Sequence, residues 1–172
     1  MIRIIDNLFF ISKSENNLIN LEIQPVEINS LLHSVVENMR TIAKDRNMDI
    51  VLNSSSPITL GLDAGLIKQA LYNIVDNAIK YGDENSTIEI ILLEESDMVI
   101  IDIINRGAGI SEDKVEKIFD KFYRADESRT RKSGGVGLGL SVVKSIIEMH
   151  KGTVSVNSTP NERTTFTLSF PK

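Results

Sequence analysis

Cysteine is absent from this chain of 172 residues, and only 4 of them are prolines. Without cysteine the chain can form neither a disulfide framework nor a thiolate metal site, which suits a reducing compartment. No apolar run approaches the length of a membrane span. Arg3, Asp6 and Asn7 interrupt the partly apolar start, and a signal-peptide core would not tolerate them. We therefore expect a cytoplasmic location for these residues.

Positive charge is also in short supply, since the net charge is -5 and the isoelectric point is about 5.1. This balance provides no general electrostatic surface for nucleic acid or for an anionic membrane. We expect neither as a direct partner. Hydrophobic residues make up 41% of the chain, which is enough for one ordinary core at this length. One main domain is the expectation.

Apolar periodicity predicts the helices. At the N-terminus, the apolar residues 4, 5, 8, 9 and 11 predict the end of an amphipathic helix that needs a partner helix. Further helices are predicted over about residues 30–46, with Asn29 as the N-cap, from the N-cap Asp63 to about residue 81, and over about residues 138–150. In the first of these, we expect the apolar residues 31, 32, 35, 36, 39 and 42 to face the core.

Strands are predicted where β-branched and aliphatic residues cluster. These runs lie at about residues 49–53, 59–62, 87–93, 99–104, 153–157 and 164–170, and a short strand could form at 21–23. The apolar runs at 87–93 and 99–104 are typical of a well-covered sheet. Because strands and helices do not strictly alternate, an α+β two-layer sandwich fits better than a doubly wound parallel sheet.

One face of the helix that ends near residue 81 carries Asn73, Asn77 and Lys80 within an arc of about 60°. Amide oxygens are acceptable ligands for Mg²⁺, and a lysine ammonium acts as a point charge on phosphate oxygens. The face therefore suits a hydrated metal that carries phosphates. An ordinary solvated helix face has the same spacing, so this motif needs support from others.

Two glycine-rich motifs offer that support. Asn-Arg-Gly-Ala-Gly-Ile at residues 105–110 follows a predicted strand, and its alternate glycines let the backbone approach a flat ligand. Gly-Val-Gly-Leu-Gly-Leu at residues 135–140 leads into a helix whose free amide groups favour an anion. Its glycine spacing and its late position differ from a dinucleotide fingerprint. A plain turn and a flexible helix-capping loop are the alternatives.

An aromatic run, Phe-Asp-Lys-Phe-Tyr-Arg at residues 119–124, lies between the glycine motifs. We expect Phe119 and Phe122 to anchor in the core, as aromatic residues usually do. Residues 125–134 follow, with cations at 129, 131 and 132. Such a glycine-bounded, cationic loop could close on a polyphosphate. A mobile, solvated loop is the alternative.

In this order, the four motifs resemble the catalytic domain of sensor histidine kinases, within the superfamily that includes gyrase, heat-shock chaperone and mismatch-repair ATPases. The resemblance covers about residues 25–171, with the asparagine motif at 73–82. It implies a two-layer α/β sandwich of the Bergerat type, in which a mixed sheet of about five strands is covered by three helices. Residues 20–172 would form this ATP-binding domain, and residues 1–19 would be the remnant of a second dimerisation helix and the start of a linker.

The resemblance also implies how the residues act. ATP and Mg²⁺ are the implied ligands, with Asn77 and Asn73 holding the metal. Lys80, which would reach the phosphates, and Arg124, which would approach the transferring phosphoryl group, are the expected catalytic residues. The expected nucleotide-binding residues are Asn73, Asn77, Lys80, Tyr81, Asn105, Gly107, Gly109, Ile110, Gly135, Gly137, Leu138 and Gly139.

The implied partners are the dimerisation and phosphoacceptor domain of a membrane-bound parent kinase and a response regulator. The isolated chain is expected to be a monomer. Neither His33 nor His150 is followed by the residues typical of a phospho-accepting histidine, and both are expected to have packing or capping roles. We therefore expect an excised fragment that does not autophosphorylate alone.

Asn105 departs from the family pattern, because members commonly carry aspartate there. An amide lacks the charge assistance of a carboxylate, which would weaken adenine binding by roughly 1 kcal/mol. A rotated amide could also donate to a guanine carbonyl. We expect a looser preference for adenine than in relatives that carry aspartate.

The leading interpretation is an enzyme domain that transfers the γ-phosphoryl group of ATP to a histidine on another segment. A nucleotide-binding regulatory module without transfer activity and an anti-sigma-type serine kinase are the alternatives. A gyrase-type or chaperone ATPase would need a general-base glutamate where Asn73 stands.

Overall fold

The computed structural model describes residues 2–16, 18–54, 56–124 and 136–172, with the backbone alone for residues 2–4. The helices are α1 (Ile2–Glu15), α2 (Ile28–Lys44), α3 (Ala64–Tyr81), the single turn α4 (Glu112–Val115) and α5 (Gly139–Met149), with a 3₁₀ turn at Lys117–Phe119. The strands are β1 (Gln24–Glu27), β2 (Asp49–Ser54), β3 (Thr59–Leu62), β4 (Thr87–Glu95), β5 (Met98–Arg106), β6 (Thr153–Thr159) and β7 (Arg163–Pro171).

Five strands form one mixed sheet in the order β2-β4-β5-β7-β6. β2 runs parallel to β4, and the other neighbouring pairs are antiparallel. The helices α2, α3 and α5 pack on this sheet through contacts with β2, β5 and β6 respectively. This arrangement confirms the predicted α+β two-layer sandwich, with three helices over a mixed sheet of five strands.

Burial in the central strands alternates from residue to residue. In β5, Val99, Ile101 and Ile103 are buried in the core, whereas the residues between them are only half-buried. A strand turns successive side chains to opposite faces of its sheet, so only one face of β5 lies fully under the helices. The apolar runs predict a well-covered sheet. In the structure, the helices cover one face of this sheet fully.

The start of α3 was predicted correctly, and the start of α2 was not. Asp63 Oδ1 accepts a hydrogen bond from the backbone N–H of Leu66 at 3.1 Å, which is the expected N-cap contact. Asn29 does not cap α2, because it already lies in its first turn. Its side chain accepts from the N–H of Ile58 at 2.8 Å and donates to the carbonyl of Ser56 at 3.0 Å. Asn29 therefore holds the approach to β3 against α2.

The short strand considered at residues 21–23 forms later, as β1, and pairs antiparallel with β3. Pro25 lies opposite Gly61 in this pairing. A proline is tolerated there because a two-stranded sheet leaves one edge of each strand without a partner. The first paired strand of the chain therefore directly precedes α2.

Two residues that were predicted to lie in the core are exposed. Ile42 is exposed because α2 buries a neighbouring stripe of its surface. That stripe consists of Ile28, Leu32, Val35, Val36, Met39 and Ala43. Phe122 is 57% exposed, and its positive φ of 62° turns the chain outward. Phe119 is anchored as predicted, with its ring edge-on to Phe166 at a centroid distance of 6.5 Å.

Helix α1 packs on α5, and Ile11 is buried in that contact. At this position α5 acts as the partner helix that the amphipathic pattern requires. Other apolar residues of α1 remain exposed: Ile5, Leu8 and Phe9. The division of the chain near residue 19 stays a prediction. Among the described residues, the structure contains no helix that is both long and apolar enough to cross a membrane.

Candidate functional site

The asparagine face of α3 is half-buried at Asn73 and Asn77 and ends at the exposed Lys80. Lys80 Nζ forms an ion pair with Asp76 Oδ2 at 2.6 Å, one turn earlier on the helix. Because both side chains are partly exposed, this pair adds little stability. Lys80 can therefore exchange Asp76 for another anion at small cost.

Asn73 lies against the start of α5. Its Oδ1 is 3.7 Å from the position that a β-carbon on Gly139 would occupy. Its Nδ2 is buried and has no hydrogen-bond partner in the part of the chain that the structure describes. A buried donor without a partner costs about 1–3 kcal/mol. The structure thus brings the asparagine motif to the second glycine motif, where α5 presents its first amide groups.

The other end of α3 lies against the first glycine motif. Gly82, directly after the helix, forms an antiparallel bridge with Gly107. A β-carbon on Gly107 would collide with the carbonyl oxygen of Tyr81. The N–H of Asp83 donates to the carbonyl of Arg106 at 2.9 Å. These contacts hold the half-exposed Tyr81 next to the glycine motif.

Asn105 continues the buried face of β5 and is only 4% exposed. Its Nδ2 donates to the carbonyl of Arg106 at 3.3 Å. This contact uses one of the two N–H groups of the amide and leaves its oxygen as an acceptor. Asn105 faces Thr164 of β7 across the sheet. Two buried polar residues therefore meet at one end of an otherwise apolar layer.

Thr164 and Ser158 were not identified from the sequence as parts of this region. Thr164 Oγ1 and Ser158 Oγ lie 2.8 Å apart, and Ser158 Oγ accepts from the N–H of Ile110 at 2.9 Å. Thr164 lies on the same buried face of β7 as Phe166 and Leu168. A polar residue at a position where the alternation predicts an apolar one could have identified it from the sequence. Ser158 gave no such signal, because its contact depends on where the loop after β5 lies.

Gly109 and Gly137 both require a conformation that favours glycine, with φ of 71° and 77°. A β-carbon on Gly109 would lie 2.8 Å from the Cα of Pro160, and one on Gly137 would lie 2.7 Å from the carbonyl oxygen of Tyr123. The N–H of Phe122 donates to the carbonyl of Gly137 at 3.0 Å. This hydrogen bond therefore connects the aromatic run, which precedes residues 125–135, to the second glycine motif, which follows them.

Leu138, which follows this contact, is buried, and its carbonyl accepts from Ser141 Oγ at 2.9 Å. Arg124 directly precedes residues 125–135. Gly135 and the cations at 129, 131 and 132 lie outside the described residues, so their predicted part in the site has no structural counterpart here.

His150 is buried at the end of α5 and joins that helix to the start of α3. Its Nε2 accepts from the N–H of Asp63 at 3.0 Å, and its Nδ1 lies 2.7 Å from the carbonyl of Ile146. This pattern corresponds to a neutral ring with its proton on Nδ1. The predicted packing role is confirmed for His150, whereas His33 is exposed on α2.

A carboxyl group on the short helix α4, after the first glycine motif, has a perturbed pKa. A hydrogen bond from the Ser111 side chain lowers the pKa of Asp113. Desolvation opposes this shift, and the Asp113 backbone with Lys114 and Lys117 adds smaller lowering effects.

Residues 62–172 match the family model described as histidine kinase-, DNA gyrase B-, and HSP90-like ATPase. The signal transduction histidine-protein kinase ArlS of Staphylococcus epidermidis is 36% identical over 98% of this chain and 37% of its own length. The sensor protein CzcS of Cupriavidus metallidurans is 34% identical over 98% of this chain and 35% of its own length. This chain thus spans little more than a third of the curated relatives that it matches.

Solved structures of histidine kinases are also similar to this chain. The catalytic domain of the histidine kinase ThkA is 29% identical, with a TM-score of 0.78, over 88% of this chain and 96% of that domain. Full-length ShkA in complex with AMPPNP is 26% identical, with a TM-score of 0.85, over 96% of this chain and 34% of ShkA.

Proposed function

Because this chain belongs to the family of histidine kinase-, DNA gyrase B-, and HSP90-like ATPases, we propose that it is the ATP-binding catalytic domain of a sensor histidine kinase. It transfers the γ-phosphoryl group of ATP to a histidine on a dimerisation domain outside these residues, in two-component signal transduction. The parent kinase is membrane-bound, with this domain on its cytosolic side, and a response regulator takes the phosphoryl group from the histidine.

The meeting of α3 with both glycine motifs carries this proposal. Asn73 faces the start of α5, and Tyr81 packs beside Gly107. These residues are eight positions apart on one helix, which corresponds to about 12 Å along its axis. A nucleotide laid along α3 would place its phosphates near Asn73 and the α5 amides, which attract anions, and its base near Tyr81 and Asn105.

The side chains at the phosphate end fit Mg²⁺. The buried amide of Asn73 has no partner for its Nδ2 among the described residues, and rotation of the amide exchanges its nitrogen and oxygen. Asn77 follows one turn later on the same face. Asn77 and Asn73 would hold the ion, which supplies charge neutralisation between the phosphates when bound.

The remaining residues orient the nucleotide. Lys80 exchanges its ion pair with Asp76 for a contact with the phosphates. Asn105 Oδ1 accepts from the adenine amino group, while one N–H of its Nδ2 donates to the carbonyl of Arg106. Gly107, Gly109 and Ile110 shape the base pocket, and Tyr81 lines it.

Arg124 approaches the γ-phosphoryl group during the transfer. In that step the bond between the γ-phosphorus and the departing ADP oxygen breaks, and a bond between the γ-phosphorus and an imidazole nitrogen forms. Positioning and charge neutralisation dominate such a transfer. Gly137 and Gly139 let the backbone approach the phosphates closely. Leu138 and Gly135, the latter outside the described residues, complete the expected nucleotide-binding set.

Calorimetry with Mg²⁺ and a non-hydrolysable ATP analogue tests the binding half of this proposal. Asn77→Ala should abolish measurable binding, while Asn53→Ala, at an exposed position on the edge strand β2, should leave it unchanged. Equal affinities for Asn77→Ala and wild type would contradict the proposed metal site.

The transfer half needs a dimerisation domain supplied in trans. With γ-labelled ATP, phosphohistidine should appear on that domain and not on this chain. Label on His33 or His150 would contradict the assignment of the acceptor. ATP binding without transfer would favour the regulatory module, and phosphoserine on an added substrate would favour the serine kinase.

A further inference from the structure

Arg46 lies in the turn between α2 and β2, far from both glycine motifs in the chain, yet its side chain reaches the end of α3. Its Nη1 donates to the carbonyls of Ile79 and of Lys80, the latter at 2.8 Å. Its Nη2 lies 3.7 Å from Glu84 Oε1. The backbone carbonyl of Arg46 also accepts from the N–H of Asn85 at 3.4 Å. The turn before β2 is thus tied to the segment that follows α3.

The last carbonyls of a helix have no partner within the helix. In α3, the carbonyl of Ala78 accepts from the N–H of Gly82 at 2.9 Å. Gly82 has an extended conformation, with φ of -72° and ψ of 157°, so it does not form the usual left-handed glycine cap. The carbonyls of Ile79 and Lys80 are bonded by Arg46, whose positive charge also suits the negative end of the helix dipole.

The capped turn is the turn that carries Lys80 and Tyr81. Lys80 is the cation at the end of the asparagine face, and the carbonyl of Tyr81 packs directly against Gly107. If this turn frayed, both side chains would lose their fixed position relative to Asn77 and to the first glycine motif. Helix ends open more readily than helix centres, so the cap decides how often this happens.

We propose that Arg46 is a positioning residue for nucleotide binding, which acts through the carbonyls of Ile79 and Lys80 and holds Lys80 and Tyr81 in the site. Arg46 itself does not contact the nucleotide. This inference rests on the proposed function, because it assigns a task to the residues that Arg46 holds.

Arg46→Met removes the hydrogen bonds and keeps an unbranched side chain. At a temperature where the variant is folded by circular dichroism, its affinity for the Mg²⁺-loaded ATP analogue should fall by about 5- to 10-fold. Arg46→Lys should give an intermediate loss, because an ammonium keeps the positive charge but lies closer to its own main chain than Nη1, the single nitrogen that donates to both carbonyls. Arg40→Met is the matched control, since Arg40 lies on α2 in an exposed pair with Glu37, and should bind like wild type.

Amide hydrogen exchange separates positioning from general stability. In Arg46→Met, the amides of Tyr81, Gly82 and Asp83 should exchange faster, while those of Val99 and Ile101 in the core strand β5 keep their protection. In a double-mutant cycle with Lys80→Met, the loss of affinity from Arg46→Met should shrink, because part of its effect passes through Lys80.

Wild-type affinity in folded Arg46→Met would overturn the inference, as would exchange that rises equally at the end of α3 and in β5. If Arg46→Met does not fold, Arg46→Lys carries the same test. Failure of the wild-type chain to bind the analogue, or normal binding by Asn77→Ala, would instead refute the proposed function.

Discussion

Replacing Gly139 by alanine should make the protein more stable and a poorer nucleotide binder. Gly139 is the first residue of α5, and a β-carbon there would meet Asn73 at ordinary contact distances of 3.7–4.0 Å. Alanine restricts the unfolded chain more than glycine does, which stabilises a compatible site by about 0.4–1 kcal/mol. At about 2–4 °C per kcal/mol for a chain of this size, the melting temperature should rise by about 1–4 °C.

The same methyl group would fill the space beside Asn73 and the first amides of α5, through which the phosphates are proposed to reach these groups. A phosphate oxygen must come to about 2.9 Å from an amide nitrogen to accept its hydrogen bond. Loss of one bond to a charged group costs about 1.5–3 kcal/mol, so affinity for the Mg²⁺-loaded ATP analogue should fall by about 10- to 100-fold.

Thermal unfolding without nucleotide and calorimetry with the analogue measure the two effects separately. Gly65→Ala is the matched control, because Gly65 also lies in the first turn of a helix, and among the described residues its β-carbon would meet Asp63 Oδ1 alone, at 3.4 Å. This variant should gain stability and keep wild-type affinity. A stabilised Gly139→Ala that binds the analogue like wild type would refute the placement of phosphates at the start of α5.

Three further predictions concern other parts of the domain. Asn105→Asp should strengthen ATP binding and reduce competition by GTP; the idea fails if GTP does not compete in wild type and the variant behaves identically. His150→Ala should lower the free energy of unfolding in urea by about 1–3 kcal/mol, because it leaves the partly buried N–H of Asp63 without its partner; an unchanged midpoint would contradict this. Ser111→Ala should raise the pKa of Asp113 in an NMR titration. Because folding lowers that pKa, its contribution to stability is present above the unfolded pKa and is lost as pH falls through the folded pKa.

Features that depend on a few neighbouring residues could be predicted. Asp63 caps α3 because its carboxylate needs only the N–H of Leu66, three residues later. The asparagine face follows from the period of a helix. Phe122 shows the limit of such reasoning, because an aromatic residue usually packs in a core, and only the turn at Phe122 puts its ring outside.

The sequence by itself determined the longer helices, most of the strands, the α+β class and the motifs that point to a nucleotide, because these depend on local periodicity and residue chemistry. Only the tertiary structure decided which motifs meet. The contact of Asn73 with Gly139, and the bond from Arg46 to a carbonyl 34 residues away, join segments that no local pattern relates. Sheet register and helix packing bring these segments together, and both are properties of the whole core.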